Sequence, residues 1–275
     1  MSAWRGHGLA ALAAGLTLGA LWSPALAHRT WMLPSATVVQ GPEAHITVDA
    51  AVSENLFDFD TTALPLDAVT VTGPDGKPLP VSNASSGRRR SSFDVTLRAP
   101  GSYRLANVNE TVFASYTVSG ETKRWRGAPG AMAANVPADA QGLQITRMHQ
   151  RVETFVAVER AGGEPFVADG RGLELQTLTA PTDLAVGDTS AFRLLLDGQP
   201  AAGVQVTLVR GGNRYRYKLA ETTLHTAGDG RFSVRWPEAG MYWMNVSVSV
   251  PRVESPGERP TRRASYSATF EVLPP

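Results

Sequence analysis

No cysteine occurs anywhere in the 275 residues. Disulfides, thiolate nucleophiles and cysteine metal ligands are therefore excluded together, and packing alone must hold the fold. The thioether-linked lipid of a bacterial lipoprotein is excluded on the same ground. Long hydrophobic runs are missing beyond the first 27 residues, so no later segment has the apolar length of a transmembrane helix. Charge of one sign is lacking too: past residue 27 the chain carries 25 basic and 25 acidic residues, Arg5 being the only charged residue before that point. Such a balance gives no support to a nucleic-acid binder or to a broadly basic membrane-surface protein. Catalytic signatures are equally scarce, with no Gly-x-Ser-x-Gly elbow, no His-Glu-x-x-His helix and no glycine-rich phosphate loop. The expectation is a protein that is not an enzyme.

What is present starts with a short basic segment carrying Arg5, an apolar run from Leu9 to Trp22, the helix-ending pair Ser23-Pro24, and then Ala25-Leu26-Ala27. This is the pattern of a secretory signal peptide, with small residues where signal peptidase cleaves. Cleavage after Ala27 predicts a soluble periplasmic protein whose first residue is His28, with no integral membrane segment left. The free α-amine and imidazole Nδ1 of a terminal histidine can close a chelate ring on one metal ion, and Ni, Co and Cu favour such nitrogen donors. A solvated residue that merely starts an edge strand is the other reading of His28. The residues alone leave both open.

From Ala36 onward, strands follow one another with period-two alternation and no long amphipathic helix. Ala44, Ile46, Val48, Ala50 and Val52 should face a core, leaving His45, Asp49, Ala51 and Ser53 on the other face. His45 and Asp49 lie four strand residues apart, about 13 Å, too far to share a metal. Asn83 to Arg90 reads as a polar loop. Phe93-x-Val95-x-Leu97-x-x-x-Gly101-x-Tyr103-x-Leu105 returns as Phe232-x-Val234-x-Trp236-x-x-x-Gly240-x-Tyr242-x-Met244, at a constant offset of 139 residues. Gly41, Ile46 and Val48 have a looser counterpart in Gly187, Phe192 and Leu194. This predicts an all-β chain of two immunoglobulin-like or prealbumin-like β-sandwich modules in tandem. The boundaries are a signal peptide over 1–27, a first sandwich over 28–119, a connecting segment over 120–172 and a second sandwich over 173–275. Within the connection a strand is expected from Arg151 to Val158, and at most one short helix near Pro129 to Ala134.

Beyond His28, several segments compete as binding features. The loop Glu54-Asn55-Leu56-Phe57-Asp58-Phe59-Asp60 sets three carboxylates, plausible metal ligands, beside two aromatics; the alternative, which is preferred, is that Phe57 and Phe59 cap the core while the acids are solvated. Arg124-Trp125-Arg126 and Arg214-Tyr215-Arg216-Tyr217-Lys218 combine stacking surface with charge and suit an anionic partner. As an amphipathic strand, the second would send Arg214, Arg216 and Lys218 to solvent and its tyrosines inward. His149 and His225 could complete a site with His28, but a lone histidine in a loop or turn is more often just exposed.

Ala27-His28-Arg29-Thr30-Trp31-Met32-Leu33-Pro34, Asn55-Leu56-Phe57, Lys123-Arg124-Trp125-Arg126-Gly127, Gly240-Met241-Tyr242-Trp243 and Ala264-Ser265-Tyr266 resemble a bacterial periplasmic domain-of-unknown-function family associated with nickel and cobalt uptake. The resemblance covers the chain beyond the signal peptide. It implies an exported β-rich component of cobalt or nickel transport with a histidine at its processed terminus, and only His28 carries over as a metal residue. The sequence thus suggests a periplasmic protein that binds a divalent transition metal, Ni, Co or Cu, and assists its uptake or handling. Its partners would be the metal ion and an envelope transport or receptor protein. A non-enzymatic module that holds such an envelope partner, for example an outer-membrane receptor, is the alternative, and a copper-dependent oxidase built on His28 is a third.

Overall fold

The computed structural model describes residues 28–163, 165–216, 219–251 and 261–275. Residues 1–27, expected as a signal peptide, and Glu164, Tyr217, Lys218 and residues 252–260 lie outside them.

The first part of the chain forms β1 (Arg29–Pro34), β2 (Val38–Val39), β3 (Ala44–Ser53), β4 (Thr62–Ala63), β5 (Val69–Thr72), β6 (Pro78–Leu79), β7 (Ser82–Ser86), β8 (Ser91–Leu97) and β9 (Gly101–Val118). Next come β10 (Glu121–Gly127), a 3-10 turn at Pro129–Ala131 continued by the single helical turn α1 (Met132–Asn135), and β11 (Gln141–Val158). The remainder supplies β12 (Leu173–Thr177), β13 (Thr189–Leu196), β14 (Gln199–Pro200), β15 (Gln205–Arg210), β16 (Thr222–His225), β17 (Arg231–Arg235), β18 (Gly240–Pro251) and β19 (Thr261–Val272). The chain is all-β, and the short α1 sits where Pro129 and Pro137 confine it.

Three sheets result. One runs β1-β3-β8-β7 with β4 on β3, and another runs β12-β13-β14 with β17 on β13. Between them lies a long sheet in the order β16-β15-β18-β19-β11-β9-β5-β6, with β10 on β9 and β2 on β11. Strand β11 therefore joins the two sandwiches: β9 pairs antiparallel along one of its edges, and β19 pairs parallel along the other. Alternation along β11 splits the two cores. Val152, Val156 and Val158 pack with Met32, Val48, Phe93 and Leu105, whereas Phe155 packs with Phe192, Trp236, Tyr266 and Phe270. The two smaller sheets thus cover opposite faces of the shared one. Residues 151–158 are buried without interruption, which is what a strand covered on both faces requires. The segment 120–172, read from the sequence as a connection, contributes this central strand, which starts ten residues before the expected Arg151.

The internal repeat appears as matched geometry. Phe93 lies opposite Val48, and Phe232 lies opposite Phe192. Tyr103 donates its hydroxyl proton to the Ala99 carbonyl at 2.7 Å, and Tyr242 does the same to Glu238 at 2.9 Å. Each hydroxyl ties the strand to the corner four residues earlier, the bond that defines a tyrosine corner in sandwich folds. Three details differ from the sequence pattern. Segment 101–118 is one strand rather than two, and part of the polar loop from Asn83 forms the exposed edge strand β7. Ala51 and Ser53, expected on the open face of β3, are fully buried beneath the loop that follows them.

Candidate functional site

That loop shapes the surroundings of His28. Phe57 and Phe59 lie 5.5 Å from Trp31, ring centroid to ring centroid, and close a small third core with Ala51, Leu56, Val209 and Trp243. The indole Nε1 of Trp243 and the hydroxyl of Ser267 both donate to the Thr30 carbonyl, each at 2.9 Å, so β1 is pinned to the shared sheet. In the β1/β3 ladder Arg29 pairs with Ser53. One step further, His28 faces Glu54.

The two side chains meet there, with His28 Nε2 3.9 Å from a Glu54 carboxylate oxygen and both side chains about half exposed. The other two carboxylates of the loop are occupied. Asp60 accepts the backbone N–H groups of Glu54 and Asn55, each at 2.9 Å. Burial alone would raise its carboxyl, but these bonds outweigh it and hold the group below the usual carboxylate range. Asp58 lies 3.4 Å from the Arg214 guanidinium. Arg29 donates to the Glu54 carbonyl and lies 3.8 Å from Glu221, which steadies the backbone without engaging the Glu54 carboxylate. Among the described residues, no three His, Asp or Glu side chains converge on one point.

The other sequence candidates are scattered. His45 is exposed, with a ring nitrogen 3.2 Å from the Thr96 hydroxyl, and Asp49 pairs with Arg90 on the same outer face. Arg124, Trp125 and Arg126 lie on β10 against β9, where Arg126 stacks on the partly exposed Phe113. The expected strand at Arg214 is instead a 3-10 turn over Asn213–Tyr215, and it turns Tyr215 outward to 83% exposure. Half-buried Arg216 donates to the Arg210 and Gly211 carbonyls, so that guanidinium braces a turn rather than facing a partner. His225 is exposed in β16, but His149 is not in a loop at all. It is a buried residue of β11.

Sequence reasoning also missed a buried charge cluster on the same face of β11. Arg151 lies 2.6 Å from Asp169, 3.3 Å from Glu153 and 3.5 Å from Glu174. Glu174 accepts the backbone N–H groups of Asp169 and Gly170 at 2.8 Å each, and Glu153 accepts the Tyr266 hydroxyl at 2.8 Å. Burial, reinforced by the Glu153 charge, pushes the Tyr266 phenol well above its ordinary value and keeps it a donor. The one sequence signal was the pair Arg151 and Glu153, two opposite charges set among valines and a phenylalanine.

A family model described as a domain of unknown function (DUF4198) matches residues 25–250. No curated protein matches the chain. Among solved structures, the D0–D1 domain of intimin is 12% identical, with 86% of this chain and 96% of that one covered at a TM-score of 0.20. A Salmonella alpha-2-macroglobulin mutant is 18% identical over 88% of this chain and 15% of that one, at a TM-score of 0.22. A DUF4785 family protein from Legionella pneumophila is 9% identical over 78% and 50%, at a TM-score of 0.23.

Proposed function

Because the chain belongs to the family described as a domain of unknown function, DUF4198, we propose a function from its own residues: a periplasmic protein that binds a divalent transition metal, Ni, Co or Cu, at a processed N-terminal His28 and assists its uptake or handling. The observation that carries this reading is the Glu54 carboxylate beside His28 Nε2. A metal-bound histidine commonly donates its other ring N–H to a carboxylate, which fixes tautomer and orientation. A proton held on Nε2 leaves Nδ1 with its lone pair, and Nδ1 is the nitrogen that shares a chelate ring with the α-amine. Asp58 and Asp60 take no part, since Arg214 and the loop backbone hold them. The resemblance carried by the sequence favours nickel or cobalt within this class.

Intact mass checks the premise, and a mature chain starting elsewhere than His28 would end the proposal. Titration calorimetry with Cu(II) and Ni(II) then compares the processed chain with a form carrying one extra residue before His28. The extension keeps the imidazole and the fold but converts the amine to a neutral amide, so binding should be largely lost. His28→Ala should do similar damage, and Glu54→Gln should weaken binding about 10- to 100-fold. Equal affinity in native and extended forms would show that the terminus is not the ligand. No binding in either would favour the envelope interaction module, for which the exposed β10 edge with Arg124 and Arg126 is the available surface.

A further inference from the structure

His149 sits between Glu110 of β9 and Ala264 of β19 in the ladder, on the β11 face that carries Arg147 and Arg151. It is 8% exposed, and among the described residues neither ring nitrogen has a hydrogen-bond partner. Leaving both nitrogens of a buried imidazole unpaired is costly, so the site calls for a partner that the described residues do not supply. Gly172, at φ +66°, presses its backbone on the ring so closely that a Cβ there would lie 2.1 Å from Nδ1. The ring is thus held in place at the floor of a cleft of about 190 Å3. At about 30 Å3 per water, that is room for roughly six waters, or for a small ion and the waters it keeps.

The charges lining the cleft select the sign of that ion. Arg262 is neutralised by a two-pronged pairing with Asp197, 2.5 Å to each carboxylate oxygen, and Asp197 also accepts the Gly172 N–H at 2.9 Å. Arg147 and Arg171 line the same cleft, and among the described residues no carboxylate lies within ion-pair distance of either. Glu110 at the rim is the remaining acid of the lining, so the cleft is lined by three guanidinium groups against two carboxylates. Burial lowers the His149 pKa, the Arg151 and Arg171 charges lower it further, and Asp169 and Glu110 oppose them only in part. The absence of three converging His, Asp or Glu side chains among the described residues argues against a metal cation here. Guanidinium groups match the geometry of oxyanions, and a neutral imidazole keeps one N–H to donate.

We propose that this cleft is a binding site for a small oxyanion, gripped by Arg147 and Arg171 with His149 donating from below. It is separate from the His28 reading and involves none of the same residues. The test uses the processed chain at constant ionic strength, titrated with inorganic phosphate, sulfate or acetate while the histidine ring resonances are followed by NMR. The expected result is a saturable shift of His149 with at least one anion, alongside a raised His149 pKa, while the exposed His45 and His225 stay put. The anion that binds most tightly tells a tetrahedral ligand from a carboxylate. Arg171→Gln, at an exposed position that leaves the fold intact, should weaken binding about tenfold or more, as should Arg147→Gln. The extended form used to test His28 should bind the anion as the native form does. No saturable His149 shift with any of the three anions, or equal shifts at all histidines that persist in Arg171→Gln, would overturn the proposal and leave the cleft to water.

Discussion

Among the described residues, replacing Arg151 with methionine removes the one guanidinium within ion-pair distance of Glu174 and leaves Glu153 only Arg104, whose Nε lies 4.0 Å away. Both acids are at most 4% exposed, and Asp169, at 43%, can turn to water. The variant therefore strands two carboxylates where hydration cannot replace the lost charge. Breaking a buried pair from one side costs about 3–5 kcal/mol, and the two interior acids argue for the upper part of that range. At about 2–4 °C per kcal/mol for a chain of this size, a loss of about 4–5 kcal/mol should lower the melting temperature by roughly 8–20 °C. Adding Glu153→Gln should restore part of the loss, because its amide oxygen still accepts the Tyr266 hydroxyl without the charge, whereas Glu174→Gln should not, since only one of the two backbone N–H groups that Glu174 accepts would keep an acceptor. The pH dependence supplies a sign that mere loss of packing would not. In the native protein, burial would raise the Asp169 carboxyl, but the Arg151 guanidinium together with the Arg171 backbone N–H and charge outweighs it and holds the group below the usual carboxylate range, so that stabilisation is present above pH about 4 and is lost as pH falls through the lower folded pKa. In Arg151→Met the stranded acids shift upward and the folded state binds more protons than the unfolded one. Stability should then rise as pH falls from about 7 towards 5, where the native protein shows no such gain. Urea unfolding across that range measures both. A loss below about 1 kcal/mol, or a variant whose deficit is the same at pH 5 and pH 7, would refute the reasoning.

Phe232→Ala should cost about 3–5 kcal/mol in urea unfolding, since the ring is buried and stacks on Phe192 at 5.5 Å; a loss below about half a kcal/mol would mean that the β17 side chain does not serve the core. Gly172→Ala and Gly203→Ala form a matched pair, because both glycines have φ near +66° but only Gly172 meets the His149 ring. Gly203→Ala should show the left-handed backbone cost alone, about 1–2 kcal/mol, with Gly172→Ala well beyond it, and equal losses would show that the imidazole moves aside freely.

The repeat was legible because strand alternation and corner tyrosines are local features that keep their spacing. The offset of 139 places Phe93 with Phe232 and Tyr103 with Tyr242, and their pairings and hydroxyl bonds match. The alignment of the upstream strands is two residues out. Gly41 and Gly187 precede β3 and β13 by unequal distances, so the ladder sets Val48, rather than Ile46, as the counterpart of Phe192. A shift of two keeps every side chain on its face, which is why Ala44, Ile46, Val48 and Ala50 do lie in the core, whereas Val52, also expected there, is only half-buried. Ala51 and Ser53 were misplaced for a different reason: β3 alternates about one sheet, but its far end is roofed by Phe57 and Phe59, so both faces become interior. Similarly, Arg214 to Arg216 alternate in sequence without pairing to any strand, and period two alone does not supply a neighbour.

The two candidate sites differ in legibility because one is made by a local event and the other by topology. His28 stands out through the small-residue motif immediately before it, and its partner Glu54 comes from the adjacent strand one ladder step beyond Ser53. The His149 cleft draws on β9, β11, β19, the bend at Arg171 and the turn at Asp197, which meet only because β11 is shared by both sandwiches. Its first half reads as polar because one sandwich no longer covers it, while the loop carrying Gly172 still shields the other face. Arg147, His149, Arg151 and Glu153 then look in sequence like an exposed alternating face, yet burial increases along the stripe from a half-buried Arg147 to a Glu153 that is 1% exposed. Where that gradient passes His149, the imidazole is already dry but the guanidinium groups beside it still reach solvent. A buried neutral donor beneath solvent-accessible cations can take an anion from water without a large opening of the fold, and only a strand that belongs to two cores at once creates that position.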